Sequence, residues 1–124
     1  MKKVFYLENC TTSRAILKET GIDGLEFTLR DVKQQRLTPG ELDELKQMAG
    51  SYEKLFSRRA LKYKELGLKD QSLGESDFRR FILQEYTFLK RPVVVIGSEI
   101  FVGSEKKTVA ALKQRMKKMA KEIR

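Results

Sequence analysis

The chain of 124 residues contains no histidine and a single cysteine, Cys10. Without histidine it cannot carry a Ser-His-Asp or Cys-His catalytic unit, a histidine proton shuttle or a histidine metal site. One cysteine can form neither an internal disulfide nor a thiolate zinc cluster. We therefore expect no bound metal.

Long apolar runs are also missing. The first run, at residues 4–7, ends at Glu8 and is far shorter than the core of a signal peptide. No later segment approaches the length that spans a bilayer, and a lone cysteine fits a reducing compartment. We therefore expect a cytoplasmic protein that does not enter a membrane.

Charge is unevenly distributed along a chain whose length suits one domain, residues 1–124. The net charge is +9, with 40% hydrophobic and 35% charged residues, a balance typical of globular domains. Residues 104–124 hold eight basic and two acidic residues, whereas the rest of the chain holds 18 and 15. The sequence thus indicates a nearly balanced domain with a basic end, rather than a uniformly basic nucleic-acid binder.

Apolar periodicity and helix caps predict the order βαβ at the start of the chain. Residues 2–7 are a β-rich apolar run, and residues 11–19 follow as a helix that ends at Gly21. Residues 25–29 alternate between apolar and polar side chains, which predicts a half-buried second strand.

Three further elements, in the order ββα, are predicted at the end of the chain. Residues 92–96 form a β-branched run typical of a buried strand, and residues 99–102 are its predicted hairpin partner. The last helix has an apolar stripe made of Val109, Leu112, Met116, Met119 and Ile123. The fold class expected is therefore α/β, with a thioredoxin-like mixed sheet.

The intervening segment, at about residues 38–89, is predicted to be an inserted helical lobe. Thr38 and Glu41 form a capping box for its first helix. A second helix is expected from Ser51 to Gly67. Ser72 and Glu75 are expected to cap the third.

Cys10 lies where the first strand passes into the first helix. The free N–H groups and the positive dipole at the start of a helix favour a thiolate, and Ser13 and Arg14 add a hydroxyl donor and a positive charge. Two interpretations are open, a reactive thiolate and an inert cysteine that packs as a small hydrophobic residue. The position at a strand–helix junction favours the first.

Arg91 and Pro92 immediately precede the predicted buried strand. Proline at the start of a strand and arginine at the end of a helix are both ordinary. The alternative is a cis proline that brings this loop beside Cys10 and directs Arg91 at the sulfur, and spacing alone does not decide between them.

Four motifs resemble the arsenate reductase (ArsC) family, which includes the Spx regulators. Residues 9–14, Asn-Cys-Thr-Thr-Ser-Arg, resemble the Cys-x-x-Ser-Arg loop of the glutaredoxin-coupled arsenate reductases. Residues 63–68 resemble a tyrosine-containing segment of those enzymes, and residues 89–95 resemble the Leu-x-Arg-Pro-hydrophobic signature. Residues 101–103 are similar to the Val-Gly that follows it. The motifs occur in family order through nearly the whole chain.

The resemblance implies a thioredoxin-like fold with a helical insertion, a cis proline at Pro92 and a nucleophilic Cys10. It also implies that Arg91 is the main anion partner of Cys10 and that Arg59 matches an arginine of the wider family. With the first-turn N–H groups of Thr12 and Ser13 and the charge of Arg14, these are the residues expected to stabilise an anion or thiolate. We expect Arg91 to be the side chain that lowers the pKa of Cys10 most, because guanidinium stays charged and can present two donors.

The resemblance further implies that the cysteine attacks arsenate and that glutathione with glutaredoxin resolves the adduct. The chain would then bind no resident cofactor, use glutathione as reductant, and have glutathione or glutaredoxin as partner. A resolving thiol from outside fits a chain with one cysteine.

The sequence departs from the family pattern at three positions. Ser57 and Gly103 stand where dedicated arsenate reductases carry further oxyanion-binding arginines, with Arg58 and Arg59 adjacent to the first. Ser13 stands where redox-sensing Spx proteins have a second cysteine. Thiol chemistry is therefore implied more strongly than arsenate as the substrate.

Two functions of different classes follow. The first is an enzyme, a glutathione- and glutaredoxin-coupled thiol oxidoreductase in which Cys10 forms an oxyanion adduct or a mixed disulfide. The alternative is a non-catalytic Spx-like regulator that binds the α subunit of RNA polymerase, which the basic last helix and the incomplete arginine set favour. Packing of that helix on the sheet, with a solvated lysine face, is the simpler interpretation of its charge.

Overall fold

The computed structural model describes residues 2–123, except for the side chains of Asp23 and Ile123. The strands in this part of the chain are β1 Lys2–Tyr6, β2 Thr28–Asp31, β3 Val93–Ile96 and β4 Glu99–Val102. The α-helices are α1 Thr11–Thr20, α2 Pro39–Ala49, α3 Leu61–Glu65, α4 Glu75–Gln84 and α5 Lys106–Ile123. The order of elements is the predicted one. None of these helices is both long enough and apolar enough to cross a bilayer.

The four strands form one mixed sheet in the order β2-β1-β3-β4. β1 and β2 are parallel, as a βαβ unit requires, and Val4 pairs with Leu29. β3 is antiparallel to both β1 and β4, and Phe5 pairs with Val93. This register brings the start of β3 beside the end of β1, where the Cys10 loop begins.

The chain divides into two compact units. The first comprises the chain up to Asp31 and from Arg91 onward, and the second comprises Val32–Lys90. The second unit corresponds closely to the helical lobe predicted at residues 38–89. The expectation of a single domain over residues 1–124 stays a prediction.

The core of the first unit lies between one face of the sheet and the helices α1 and α5. Apolar side chains of all these elements are buried together, since each helix turns its apolar stripe to the strands. The cluster consists of Val4, Tyr6, Ile16, Leu17, Ile22, Val94, Ile96, Leu112, Met116 and Met119. The predicted stripe of α5 is thus confirmed for Leu112, Met116 and Met119, and Val109 packs against the cluster. The side chain of Ile123 lies outside the described residues.

The second unit is organised around the ring of Phe56. Its centroid lies 4.9 Å from that of Phe78 and 5.0 Å from that of Phe88, with which it is stacked. The capping box predicted for α2 is present, because the Glu41 N–H donates to Thr38 Oγ1 at 3.1 Å and the Thr38 N–H donates to Glu41 Oε1 at 3.0 Å. This helix ends at a glycine with positive φ, Gly50.

The predicted helix from Ser51 to Gly67 is wrong. It is divided into a 3₁₀ turn at Glu53–Leu55, an extended stretch and the short α3. Tertiary pairing breaks it, since the Ser57 N–H donates to the Phe88 carbonyl at 2.7 Å and the Lys90 N–H donates to the Leu55 carbonyl at 2.8 Å. These bonds replace those that a continuous helix would make.

Two other local predictions are corrected. β2 begins at Thr28 and not at residue 25, because pairing with β1 begins only there, where Thr28 lies opposite Lys3. α4 is capped at Gly74, whose N–H donates to Asp77 Oδ2 at 2.8 Å. Glu75, expected in a capping box, accepts instead from the N–H groups of residues 52 and 53.

Candidate active site

Cys10 is the N-cap residue of α1. Its backbone is extended, with φ −97° and ψ 108°, and its carbonyl accepts the first helical bond from the Arg14 N–H at 3.0 Å. The Cys10 N–H donates to the Leu7 carbonyl at 3.0 Å, which ties the cysteine to the end of β1. The side chain is half-buried. The sulfur therefore lies at the exposed N-terminal end of a helix, where first-turn N–H groups are free.

The pKa of the Cys10 thiol lies below its ordinary value. Burial alone raises this pKa, but the backbone N–H and the hydroxyl of Ser13, the charge of Arg91 and the backbone N–H of Thr12 together lower it more. Hydrogen bonds and positive charge favour the ionised form of a thiol, whereas loss of water favours the neutral form. The net effect is an enlarged thiolate population.

The Ser13 side chain is the most enclosed polar group of this site. It is 0% exposed, and its hydroxyl makes no hydrogen bond of ordinary geometry within residues 2–123. Its effect on Cys10 shows that the hydroxyl lies near the sulfur. Burying an unpartnered hydroxyl costs free energy, and a thiolate on Cys10 would provide the missing acceptor.

Arg91 and Pro92 approach the Cys10 loop at the start of β3. The peptide bond between them is cis, the geometry that the family resemblance implies, and Pro92 is fully buried. The Pro92 carbonyl accepts from the Gly103 N–H at 2.9 Å. Gly103 has φ +89°, a conformation that favours glycine over the arginine of dedicated arsenate reductases.

The charge of Arg91 does lower the pKa of Cys10, but the expectation that it is the strongest side-chain effect is wrong. The Ser13 hydroxyl has the larger effect. The Ser13 hydroxyl is enclosed and acts without intervening solvent, whereas Arg91 is only half-buried and its charge is partly screened.

Arg14 is directed to Glu8. Its Nη1 donates to Glu8 Oε1, while Glu8 Oε2 accepts from the Tyr6 hydroxyl at 2.5 Å. The hydrogen bond to Glu8, with burial, raises the pKa of Tyr6 to about 12. The role of Arg14 as an anion-binding residue stays a prediction. The sequence analysis did not single out Glu8 or Tyr6, although Glu8 stands two residues before the cysteine.

Thr12 and Arg59 complete the predicted site residues. Thr12 contributes its backbone N–H to the site, and its side chain is exposed. Arg59 belongs to the second unit and is exposed, with its N–H donating to Ser57 Oγ at 3.3 Å. Its contribution to the site stays a prediction. No group of three potential metal-binding side chains occurs within residues 2–123.

Comparison with known proteins identifies relatives of the same fold. No curated protein matches the sequence significantly. An arsenate reductase from Vibrio cholerae is 20% identical, with a TM-score of 0.74 over 90% of this chain and 96% of that one. An arsenate reductase (ArsC) related protein from Brucella melitensis is 22% identical, with a TM-score of 0.69 over 89% and 92%. A Staphylococcus aureus protein is 27% identical, with a TM-score of 0.71 over 90% and 97%.

These structures confirm the predicted thioredoxin-like fold. The family model described as the ArsC family matches residues 5–112. This range begins in β1 and reaches into α5, so it includes the cysteine, the cis proline and both halves of the sheet. The protein is therefore a member of the ArsC family.

Proposed function

We propose that this protein is a glutathione- and glutaredoxin-coupled thiol oxidoreductase of the arsenate reductase type, with Cys10 as the nucleophile. The observation that carries the proposal is a half-buried cysteine at a helix N-terminus with a lowered pKa. Membership of the ArsC family supports a thiol oxidoreductase role of this kind.

The thiolate must exist before substrate arrives. The chain has no histidine to remove the thiol proton on demand, so the hydrogen bonds of Ser13, the charge of Arg91 and the N–H of Thr12 take over that task. Thiolates, and not thiols, attack sulfur and oxyanion centres.

On a mixed disulfide, the Cys10 thiolate attacks the glutathione sulfur. A bond between Cys10 and glutathione forms, and the substrate thiolate leaves with the electron pair of the broken S–S bond. A second glutathione thiolate then attacks the glutathione sulfur, which releases the Cys10 thiolate and oxidised glutathione. On an arsenate-like oxyanion, Cys10 displaces one oxygen as water. Two external thiols then become a disulfide and supply two electrons to the bound centre, whose bond to Cys10 breaks, so that the reduced oxyanion and the Cys10 thiolate are released.

The proposal is tested by turnover of two substrates, arsenate and a glutathionylated peptide, with glutathione and glutaredoxin present. Wild-type protein should turn over at least one of them, and Cys10→Ser should turn over neither. Absence of wild-type turnover with both substrates would remove the enzyme assignment.

A regulator that binds the α subunit of RNA polymerase is the second candidate. The observation in its favour is the exposed basic face of α5, with Lys107, Lys117, Lys118 and Lys121. A pull-down with the purified α subunit tests it, with Cys10→Ser as the companion variant. Binding that survives Cys10→Ser but is lost when Lys117 and Lys118 become glutamate would favour the regulator.

A further inference from the structure

Glu8 lies in the turn that joins β1 to the Cys10 loop, within the first unit. The Cys10 N–H donates to the Leu7 carbonyl at 3.0 Å and closes this turn. The Glu8 carboxylate accepts two hydrogen bonds, one at Oε2 from the Tyr6 hydroxyl at 2.5 Å and one at Oε1 from Arg14 Nη1. Tyr6 precedes Cys10 on β1, and Arg14 follows it on α1. Glu8 therefore connects the two elements between which the nucleophile lies.

Arg14 is positioned to act on the sulfur. It lies four residues after Cys10, and its backbone N–H donates to the Cys10 carbonyl at 3.0 Å, so the two residues are neighbours along one face of α1. Helical side chains lean towards the N-terminus of their helix, which is the end that Cys10 caps. An arginine without another partner would thus bring its positive charge to an anion at this end. The Arg14 guanidinium instead forms an ion pair with Glu8.

Tyr6 fixes the orientation of the Glu8 carboxylate. It is 9% exposed and belongs to the core cluster of the first unit, so packing holds its hydroxyl in place. The hydrogen bond from Tyr6 occupies one carboxylate oxygen, and the other oxygen is left for Arg14. The charges of Glu8 and Arg14 cancel at distances larger than their separation. The charge that acts most on the Cys10 thiol is accordingly that of Arg91 and not that of Arg14.

The cancelled charge matters for the substrates that Cys10 can attack. A multiply charged oxyanion is bound best by several charge-assisted hydrogen bonds, whereas a disulfide of low net charge needs only an accessible thiolate. We propose that Glu8 is a specificity-determining residue, which holds Arg14 and so favours disulfides of low charge over multiply charged anions at Cys10. The inference rests on the proposed function, because it selects between the two substrate classes of the Cys10 nucleophile.

Two disulfide reagents of different charge measure this selectivity. Dithiodipyridine is neutral, and dithiobis(nitrobenzoate) carries two carboxylates. With either reagent the Cys10 thiolate attacks one sulfur and forms a mixed disulfide, while the S–S bond of the reagent breaks and the leaving thiolate takes its electron pair. Absorbance of the leaving group gives each rate constant. The ratio of the two rate constants, anionic over neutral reagent, is independent of the thiolate fraction because both reagents consume the same thiolate.

Glu8→Gln should raise this ratio by about fivefold, the upper end of the range for an exposed charge pair. The rise should shrink near 1 M salt, because it is electrostatic and the charges are exposed. In the double variant Glu8→Gln/Arg14→Gln the ratio should return close to the wild-type value, since the released cation is gone.

Glu19→Gln is the matched control on the same helix. The Glu19 side chain is 53% exposed, as is that of Glu8, and it also forms an ion pair, with Lys113. It lies about 13 Å along α1 from Cys10, which exceeds the screening length of about 8 Å at physiological salt. Its substitution should leave the ratio unchanged.

An unchanged ratio in Glu8→Gln would overturn the inference. An equal rise in Glu19→Gln would overturn it as well, and so would a rise that persists in the double variant or at high salt. A wild-type protein that reacts with neutral dithiodipyridine no faster than free cysteine at acidic pH would instead overturn the proposed function. The first three results compare variants and the last concerns the wild type alone, so the two failures are distinct.

Discussion

Replacement of Ser13 by alanine should separate the reactivity of Cys10 from the stability of the fold. The side chain is 0% exposed, and its hydroxyl makes no ordinary hydrogen bond among residues 2–123. Yet it is the side chain that lowers the pKa of Cys10 most. Ser13→Ala removes only this hydroxyl and keeps the backbone N–H, so the effect on the thiolate can be measured alone.

The expected loss of reactivity follows from the strength of one hydrogen bond to a charged atom. Such a bond contributes about 1.5–3 kcal/mol. The sulfur is half-buried, so solvent reduces the contribution to about 1 kcal/mol, which is about a fivefold change in thiolate population below the pKa. Alkylation by iodoacetamide at pH values below the measured pKa of Cys10 should slow by that factor in Ser13→Ala, while the rate above the pKa should not change.

At acidic pH, Ser13→Ala should not lower the free energy of unfolding, although it lowers the reactivity of Cys10. Relief of a buried unpartnered hydroxyl is worth about 1 kcal/mol, so Ser13→Ala should be at least as stable as wild type while Cys10 is protonated. The pKa of Cys10 is lower in the folded than in the unfolded protein. Wild type therefore gains stability as the pH rises from the folded to the unfolded value of this pKa. The difference in free energy of unfolding between Ser13→Ala and wild type should therefore become smaller over that pH interval.

Urea unfolding under reducing conditions at about pH 5 and about pH 9 measures this difference. In a Cys10→Ala background, Ser13→Ala should change the free energy of unfolding equally at both pH values, because no thiolate forms. Unchanged alkylation at acidic pH, together with lower stability at both pH values, would refute the role given to Ser13.

Three other variants test the site and the fold. Arg91→Ala should slow alkylation of Cys10 about threefold at low salt, and the difference should shrink near 1 M salt because the charge acts through partly solvated space; a salt-independent effect would contradict this. Thr38→Ala should lower the free energy of unfolding in urea by about 1 kcal/mol through loss of the helix cap. The hydrogen bond from Arg79 lowers the pKa of Asp43 to about 2. The ionised carboxylate thus stabilises the fold above its ordinary pKa, and this contribution is lost as the pH falls towards 2. Asp43→Asn should flatten the pH dependence of thermal unfolding in that range.

Features that depend on contacts within one helical turn were predictable from the sequence. The capping box of Thr38 and the glycine at position 21 follow from local rules of backbone satisfaction, and both are present. The buried strand β3 was equally clear, because four consecutive β-branched residues favour few other structures.

Features set by partners far along the chain were not predictable in this way. The apolar spacing of residues 51–67 resembles that of a helix, but the backbone beside Phe56 forms a bridge with Leu89, 33 residues later. The periodicity of a sequence shows which side chains are apolar. It does not show which backbone N–H and C=O groups form hydrogen bonds with distant segments of the chain. The late start of β2 has the same origin, since its register is set by pairing with β1.

The candidate site also combines features that local sequence predicts with features that only tertiary contacts decide. The position of Cys10 at a helix N-terminus was evident from the junction between a strand pattern and a helix pattern, because the N–H groups that stabilise a thiolate belong to its own next residues. The approach of Arg91 was decided by the antiparallel register of β3 on β1, which pairs two strands that lie far apart in the chain. The leading role of the Ser13 hydroxyl was decided by burial, since only tertiary packing turns an ordinary helix serine into an enclosed donor without a partner of its own.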